Sequence, residues 1–84
     1  MEVNNKVLVE LVIPEINQHY DVYLPINKKI GTIIDLLTKS INEFNNSTLS
    51  FKYLYNADTR ECYSYDVLLI NTKVRNGTKI ILMR

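Results

Sequence analysis

Cysteine and glycine are both scarce in this chain. Cys62 is its only cysteine, and its two glycines, Gly31 and Gly77, lie far apart. A single thiol forms neither an internal disulfide nor a multi-cysteine zinc site, so we expect a reducing compartment, with the cytosol as the simplest choice. Two isolated glycines do not form the loop that cradles a phosphate. No structural zinc and no bound nucleotide are therefore expected.

An excess of one charge is also missing. Ten Lys and Arg residues oppose nine Asp and Glu residues, which leaves a formal charge of +1. Proteins that bind nucleic acid depend on a basic surface for much of their affinity. The six tyrosines could stack on bases, but stacking proteins combine their aromatic residues with a basic groove. We therefore expect no nucleic-acid partner.

Long hydrophobic runs are absent as well. The longest, residues 67–70 and 80–83, have four residues each, whereas a membrane-spanning helix needs about 20. The first six residues lack the basic and then apolar pattern of an export signal. We expect neither direct membrane insertion nor export.

What the chain does have is the composition of one small soluble domain. Its 84 residues are 46% hydrophobic and 23% charged, and a chain of this size buries about 60 to 65% of its unfolded surface on folding. We predict a single domain over residues 1–84, with an ordered core from about residue 6 to residue 83. Two lobes with a catalytic cleft between them are not expected.

Two segments near the start alternate apolar and polar residues with the period of two that is typical of strands. The first spans residues 7–13 and the second spans residues 20–26, and Pro14 interrupts the alternation between them. We predict an antiparallel hairpin. Its connection, residues 14–19, is too long for turn chemistry to fix the register.

Beyond Pro25 the apolar residues recur at steps of three and four, which places them on one face of a helix. Two N-caps are open. Asn27 is favoured because it keeps Ile30 on the apolar face, whereas Thr32 has Asp35 three residues later as a capping-box partner. The turn-forming residues 45–48 should end the helix. The positions on the apolar face are Ile30, Ile33, Leu37, Ile41 and Phe44.

Three further strands are predicted after the helix, separated by turn-forming residues. In the first, residues 49–55, alternation puts Phe51, Tyr53 and Tyr55 on one face, which we expect to be the core face. One helix must then cover one face of one mixed sheet. The remaining segments are a turn at 56–59, a short strand at 60–63, a tight turn at Asn76-Gly77 and a last strand at 79–83.

Three segments carry a resemblance to a known fold: LPINKKI at 24–30, LYNADT at 54–59 and VRNGTKIIL at 74–82. With the order of elements, they resemble the ubiquitin-like β-grasp fold, and within it the YukD/EsaB family of accessory proteins of bacterial type VII (ESX/WXG100) secretion. The resemblance implies an α+β domain of ββαββ order with a mixed four- to five-stranded sheet. Its first and last strands would pair in parallel at the centre, and one main helix would pack on one face.

The end of the sequence differs from that of ubiquitin and the related sulfur carriers. Those proteins end in a Gly-Gly tail whose carboxylate is activated, whereas this sequence ends at Arg84 directly after strand residues. We therefore expect no covalent conjugation, as is also understood for the YukD/EsaB proteins. Two alternatives stay open: a generic β-grasp interaction domain, and a ubiquitin-like or sulfur-carrier-like protein that lacks its Gly-Gly tail.

The candidates for nucleophilic catalysis are Cys62 and His19. A catalytic cysteine needs a base beside it, and a β-grasp layout gives no reason for these two residues to meet. We expect Cys62 to be a semi-buried packing residue and His19 a solvated loop residue. The sequence therefore predicts no catalytic residue, no cofactor and no metal. A small enzyme that uses Cys62 is the remaining alternative.

Strand parity predicts an apolar patch on the sheet face away from the helix. Exposed apolar patches usually mark protein contacts, although single exposed apolar residues are common and need no partner. A different protein or a second copy of the chain could occupy such a patch, and Glu10, Lys52 and Lys79 would form its polar rim. The predicted protein-binding residues are Leu8, Leu54, Ile81 and Met83.

The function that the resemblance implies is that of a non-enzymatic adaptor. It would bind protein partners non-covalently as an accessory component of a bacterial type VII secretion system. Its expected partners are cytoplasmic parts of the secretion apparatus. The chain would then be cytoplasmic, or peripheral to a membrane complex through a protein partner.

Overall fold

The computed structural model describes residues 5–84, which form five strands and one α-helix with two short 3-10 turns. The 3-10 turns span Pro14–Ile16 and Leu69–Asn71. The strands and the helix, in chain order, are β1 (Lys6–Ile13), β2 (Gln18–Pro25), α1 (Ile30–Asn45), β3 (Tyr53–Asn56), β4 (Glu61–Cys62) and β5 (Lys79–Met83).

The five strands form one mixed sheet in the order β2-β1-β5-β3-β4. β1 and β5 are parallel at its centre, with Leu11 beside Ile80, and every other pair is antiparallel. The helix packs on one face. This arrangement confirms the predicted ubiquitin-like β-grasp fold, including the pairing of the first and last strands.

The predicted hairpin is present, and its connection explains the register. A 3-10 turn at Pro14–Ile16 is closed by Asn17, which adopts the left-handed conformation with φ of 52°. Asparagine tolerates that conformation better than most residues because its short polar side chain can bond locally. The pairing that results sets Val9 opposite Val22, so that both apolar faces point to the core.

The start of the helix corrects both predicted caps. α1 begins at Ile30 with Lys29 as the cap residue, and no side chain caps it. The N–H groups of Ile30 and Gly31 instead donate to the carbonyl oxygens of Val67 and Tyr65, at 2.8 and 3.0 Å. A distant segment therefore satisfies the N–H groups that Asn27 or Thr32 was expected to serve. At the other end, left-handed Asn46 ends the helix as predicted.

The third strand is shorter than predicted, and its parity is reversed. Phe51 and Leu54, three residues apart, are both buried, so the alternation breaks between them and β3 starts only at Tyr53. Leu54 is 1% exposed and belongs to the core, whereas Tyr53 is 48% exposed on the opposite face. The predictions of an outward Leu54 and of a core-facing Tyr53 and Tyr55 are therefore wrong.

The core lies between α1 and the inner face of the sheet. The predicted stripe holds for Ile30, Ile33 and Ile41, but Phe44 is 78% exposed, because it lies at the last turn beside the sheet edge. Ile34, which the stripe omitted, is buried. The fully enclosed apolar side chains of the sheet are those of Val9, Leu11, Ile13, Leu54, Ile80 and Leu82.

The two turns that deliver β4 and β5 have clear chemical causes. Buried Asn56 accepts hydrogen bonds from the N–H groups of Asp58 and Thr59 at 3.0 and 3.2 Å, which fixes the turn after β3. Before β5, Thr78 N–H donates to the Arg75 carbonyl oxygen, and Gly77 supplies φ of +87°. A positive φ at the third turn position is typical of type II, a position that glycine occupies without strain.

Candidate protein-binding face

The sheet face away from the helix carries a cluster of apolar side chains at its centre. The strand register places Val12 beside Ile81 and Ile81 beside Tyr55 across three neighbouring strands. One step along the same strands, Met83 pairs with Tyr53. We call this set, Val12, Tyr53, Tyr55, Ile81 and Met83, the outer cluster.

The members of the outer cluster differ in exposure. Tyr53 is exposed, and the other four are half-buried by their neighbours on the sheet. Their alternation partners, among them Ile80 and Leu82, point to the opposite face and are buried under the helix. Because α1 covers the inner face, the outer cluster stays open to solvent in the part of the chain that the structure describes.

Two of the four predicted binding residues lie in the outer cluster, and two do not. Ile81 and Met83 are members. Leu8 is 37% exposed on the same face, but it pairs with Tyr23 nearer the other end of the sheet. Leu54 is in the core, as described above.

A row of charged residues separates Leu8 from the outer cluster. Glu10 pairs with Asp21 on one side and with Lys79 on the other, and all three side chains share the outer face. Lys79 and Glu10, both predicted for the rim, therefore do border the cluster. The contiguous patch predicted from Leu8 to Met83 is interrupted here.

Hydrogen bonds hold the aromatic side of the outer cluster in place. Lys52 N–H donates to the carbonyl oxygen of Met83 at 2.8 Å, which extends the pairing of β3 with β5. The Tyr65 hydroxyl donates to the carbonyl oxygen of Lys52 at 2.6 Å. Tyr53 and Met83 are thus presented by backbone that is fixed from two directions.

Sequence reasoning missed Tyr53, Tyr55 and Val12 as binding candidates. Val12 was placed on the correct face but left out of the predicted site. The two tyrosines were assigned to the core because the strand was extended back to Leu49. The turn-forming residues 56–59 mark the end of this strand, but no residue before Tyr53 marks its start, so the sequence carries no signal that corrects the assignment.

His19 and Cys62 lie on the two edge strands of the sheet. His19 is on β2 and Cys62 is on β4, with β1, β5 and β3 between them. Four steps between neighbouring strands correspond to about 19 Å. Cys62 is exposed and not semi-buried as predicted, because the two-residue strand β4 leaves it at the sheet margin. The two side chains cannot act together as a nucleophile and its base.

Within residues 5–84 there is no group of three or more His, Cys, Asp or Glu side chains that could hold a metal ion. Over the same residues, no helix has both the length and the apolar character needed to cross a membrane.

Comparisons with known proteins give matches at the level of three-dimensional structure. Neither the protein-family models nor the curated proteins contain a match to the sequence. Among solved structures, the EccD5 ubiquitin-like domain from Mycobacterium xenopi superposes with a TM-score of 0.71 and 19% identity, covering 92% of this chain and 91% of that domain.

Two other solved structures are similar in the same way. The ubiquitin-like domain of the Mycobacterium tuberculosis type VII secretion system protein EccD1 gives a TM-score of 0.69 at 16% identity, covering 94% of this chain and 98% of that one. A chain of the MycP5-free ESX-5 inner membrane complex gives 0.73 at 18% identity. The match covers 93% of this chain but 20% of that one. At these identities, the similarity shows a shared ubiquitin-like fold.

Proposed function

We propose that this chain is a non-enzymatic ubiquitin-like adaptor that binds a protein partner non-covalently through its outer cluster. We further propose that it is an accessory component of a bacterial type VII secretion system. In that setting it would be cytoplasmic, or peripheral to the membrane through its partner. The observation that supports the proposal most directly is the outer cluster itself.

The composition of the outer cluster suits a protein contact. Two tyrosines contribute large, rigid rings with a polar tip, and aromatic residues and methionine are enriched at the centres of interfaces. Ile81 lies between Val12 and Tyr55 in the register, so the apolar surface is continuous across three strands. Exposed apolar surface of this kind typically marks interaction sites.

The charges around the outer cluster are suited to orienting a protein partner and not to attracting one by net charge. Glu10 and Asp21 are acidic, Lys79 beside them is basic, and the formal charge of the chain is +1. Rim charges of both signs fix the register of a partner and reject misaligned ones. We therefore expect a partner with an apolar centre and its own mixed rim.

The adaptor role is favoured over an enzymatic one by the placement of the chemically active side chains. His19, the one histidine of the chain, lies on the opposite edge strand and cannot serve as a base for Cys62. Its thiol has one hydrogen bond in the structure, a weak one to the carbonyl oxygen of Leu54 at 3.7 Å. A thiol in these surroundings is not activated as a nucleophile.

Support for the secretion setting comes from the structural neighbours. Two of them are ubiquitin-like domains of EccD proteins, and the third is part of an ESX-5 inner membrane complex. A cytoplasmic part of such a complex is therefore the partner to test first. A generic β-grasp interaction domain would have the same outer cluster but a different partner.

The proposal is tested by site-specific photo-crosslinking in the source organism. A benzoylphenylalanine placed at Tyr53 should crosslink to a cytoplasmic part of the secretion apparatus, identified by mass spectrometry. The matched control carries the same probe at Tyr23, which is exposed on the same sheet face but outside the cluster. Equal crosslinking from both positions would contradict the assigned surface, and an unrelated product would contradict the secretion setting.

A second test uses charge substitutions. Tyr53→Glu should abolish capture of that partner without unfolding the chain, because a charge is costly in an apolar contact but not at an exposed position. Ile70→Glu is the matched control, since Ile70 is also an exposed apolar residue but lies outside the cluster. Capture that survives Tyr53→Glu, or is lost equally in both variants, would count against the proposal.

A further inference from the structure

A second apolar feature lies at one margin of the sheet, between α1 and the edge strand β2. It is a groove of about 330 Å³, and its lining includes Tyr20 and Val22 of β2 and Leu37, Ile41 and Phe44 of α1. The Phe44 ring meets the Tyr20 ring edge to face, with 6.2 Å between centroids. Phe44 is nevertheless largely exposed, so nothing within residues 5–84 covers the outer side of the groove.

The backbone of β2 is open along this groove. Gly77 N–H donates to the Leu8 carbonyl oxygen at 2.8 Å, and Glu10 N–H donates to the Thr78 carbonyl oxygen at 3.0 Å. The main-chain groups of Leu8 and Glu10 therefore turn toward β5. In an antiparallel pair, the residues opposite them turn the other way. Those residues are Tyr23 and Asp21 of β2, and His19 continues the same alternation.

Within residues 5–84, the free edge formed in this way has little of the usual protection, since Asp21 is its one charged side chain. Natural edge strands are commonly short, or carry lysine, proline or a bulge that discourages pairing. The other edge strand, β4, has two residues, but β2 has eight. β2 contains no lysine, and its one proline, Pro25, is its last residue. β2 is therefore suited to pairing with a further strand.

We propose that a second copy of this chain occupies the edge, with the two β2 strands antiparallel about a two-fold axis at Tyr20. This register sets His19 of each copy opposite Asp21 of the partner copy. The imidazole N–H can then donate to the carboxylate across the interface, on both sides of the axis. Two hydrogen-bonded pairs of residues exchange about four main-chain hydrogen bonds.

Charge complementarity selects this register. Moving the axis to Asp21 would place two carboxylates opposite each other, which is destabilising in a cross-strand pair. With the axis at Tyr20, the two grooves adjoin, and the exposed ring of Phe44 is next to the partner copy. The Tyr20 hydroxyl is buried and has no hydrogen-bond partner within residues 5–84. At the axis, the two copies bring these two hydroxyls to the same side of the joined sheet.

The first test measures the state of association of the unmodified chain. Sedimentation velocity from about 10 µM to about 1 mM spans the range that a short strand pairing with a small apolar seam should reach. We expect a monomer at the low end and a dimer at the high end. A monomer at every concentration would overturn the proposal.

Amide hydrogen exchange at the two ends of that range then locates the interface. The His19 and Asp21 amides should exchange rapidly in the monomer and become protected in the dimer, because they donate across the axis. The Tyr23 amide should stay unprotected, since its opposite residue would be left-handed Asn17, which is not in the strand. Protection of β5 or β3 amides alone would place the dimer elsewhere and overturn the proposal.

A charge swap tests the register itself. Asp21→Lys sets a lysine opposite His19 on both sides of the axis, and we expect the dimer dissociation constant to rise about tenfold. Adding His19→Asp restores opposite charges and should bring the constant back near its original value. Asp66→Lys makes the same change of charge outside β2 and should have no effect. The assigned pairing would be overturned if Asp21→Lys left the dimer dissociation constant unchanged. It would also be overturned if His19→Asp failed to restore that constant.

A strand from another protein is the competing occupant. It would leave the chain monomeric at all concentrations, with the His19 and Asp21 amides protected only after that protein is added. That outcome would also overturn the proposal. Because the outer cluster lies on a different surface, the crosslinking product from Tyr53 does not depend on any of these outcomes.

Discussion

Neighbouring residues of the paired strands β3 and β5 differ in what they contribute. One faces the core and stabilises the fold, and the next lies on the outer face and is available for binding. On the inner face Leu54 pairs with Leu82, and both are almost fully enclosed. At the neighbouring position on each strand, Tyr55 pairs with Ile81 on the outer face, where both are half-exposed. Hydropathy alone does not distinguish these two pairs.

What distinguishes them is the side of the sheet on which the helix packs. Burial under α1 turns apolar side chains into a contribution to folding of about 1.5–3 kcal/mol each. The same side chains on the outer face contribute less to folding and leave apolar surface for a partner. Substitutions on the two faces should therefore separate loss of stability from loss of binding.

The largest effect is expected for Leu54→Ala. It removes a fully buried side chain opposite Leu82 and leaves a cavity, which typically costs about 2–5 kcal/mol in the free energy of unfolding. Urea denaturation followed by circular dichroism measures the change. If Leu54 lay on the outer face, as its sequence parity suggests, the loss would stay below about 1 kcal/mol.

Sequence reasoning assigned the two faces of β3 the wrong way round. The parity of β1, β2 and β5 was predicted correctly, because almost all of each predicted segment lies within one continuous strand. The parity of β3 was predicted wrongly, because Phe51 fits the same alternation in the sequence although it lies before the strand begins. A period of two carries no information about where a strand begins, and the error moved Leu54 into the site and two tyrosines out of it.

The cap of the helix shows a second kind of limit. Asn27 and Thr32 are both good capping residues by type, but the N–H groups at the start of α1 bond to carbonyl oxygens about 35 residues later in the chain. Local sequence carries no signal for such a contact. Most of the apolar face of α1 was predictable, but Phe44 runs past the edge of the sheet and loses its cover, and buried Ile34 was missed.

The next largest effect is expected for Asn56→Ala, at the inner end of β3. The side chain accepts from two turn N–H groups, and its Nδ2 donates to the Tyr63 hydroxyl at 3.1 Å. Removing it leaves the two turn N–H groups without their acceptor and the Tyr63 hydroxyl with only the Lys73 N–H, 3.4 Å away, at a cost of about 1–3 kcal/mol. Tyr63→Phe removes one of the three Asn56 bonds together with that long bond from Lys73, and should cost less. Equal losses in urea denaturation would show that the turn bonds contribute nothing.

An intermediate effect on stability is expected for Ile81→Ala on the outer face. The side chain is half-buried among its neighbours, so its truncation should cost about 1 kcal/mol. The variant should lose much more of its ability to capture the partner than of its free energy of unfolding. A loss as large as that of Leu54→Ala would mean that the outer cluster is packed as a second core, and the contrast between the two faces would then fail.

The smallest effect is expected for Glu15→Gln, which removes an ion pair beyond the end of the outer cluster. Arg84 Nη1 lies 3.0 Å from Glu15 Oε1, and both side chains are substantially exposed. Exposed pairs contribute roughly 0.2–1 kcal/mol, and the contribution falls with salt. Urea denaturation at low and high salt should show a small difference from the unmodified chain that disappears at high salt. A difference that persists in high salt would mean that Glu15 and Arg84 form a poorly screened pair at the end of β5, unlike an ordinary exposed one.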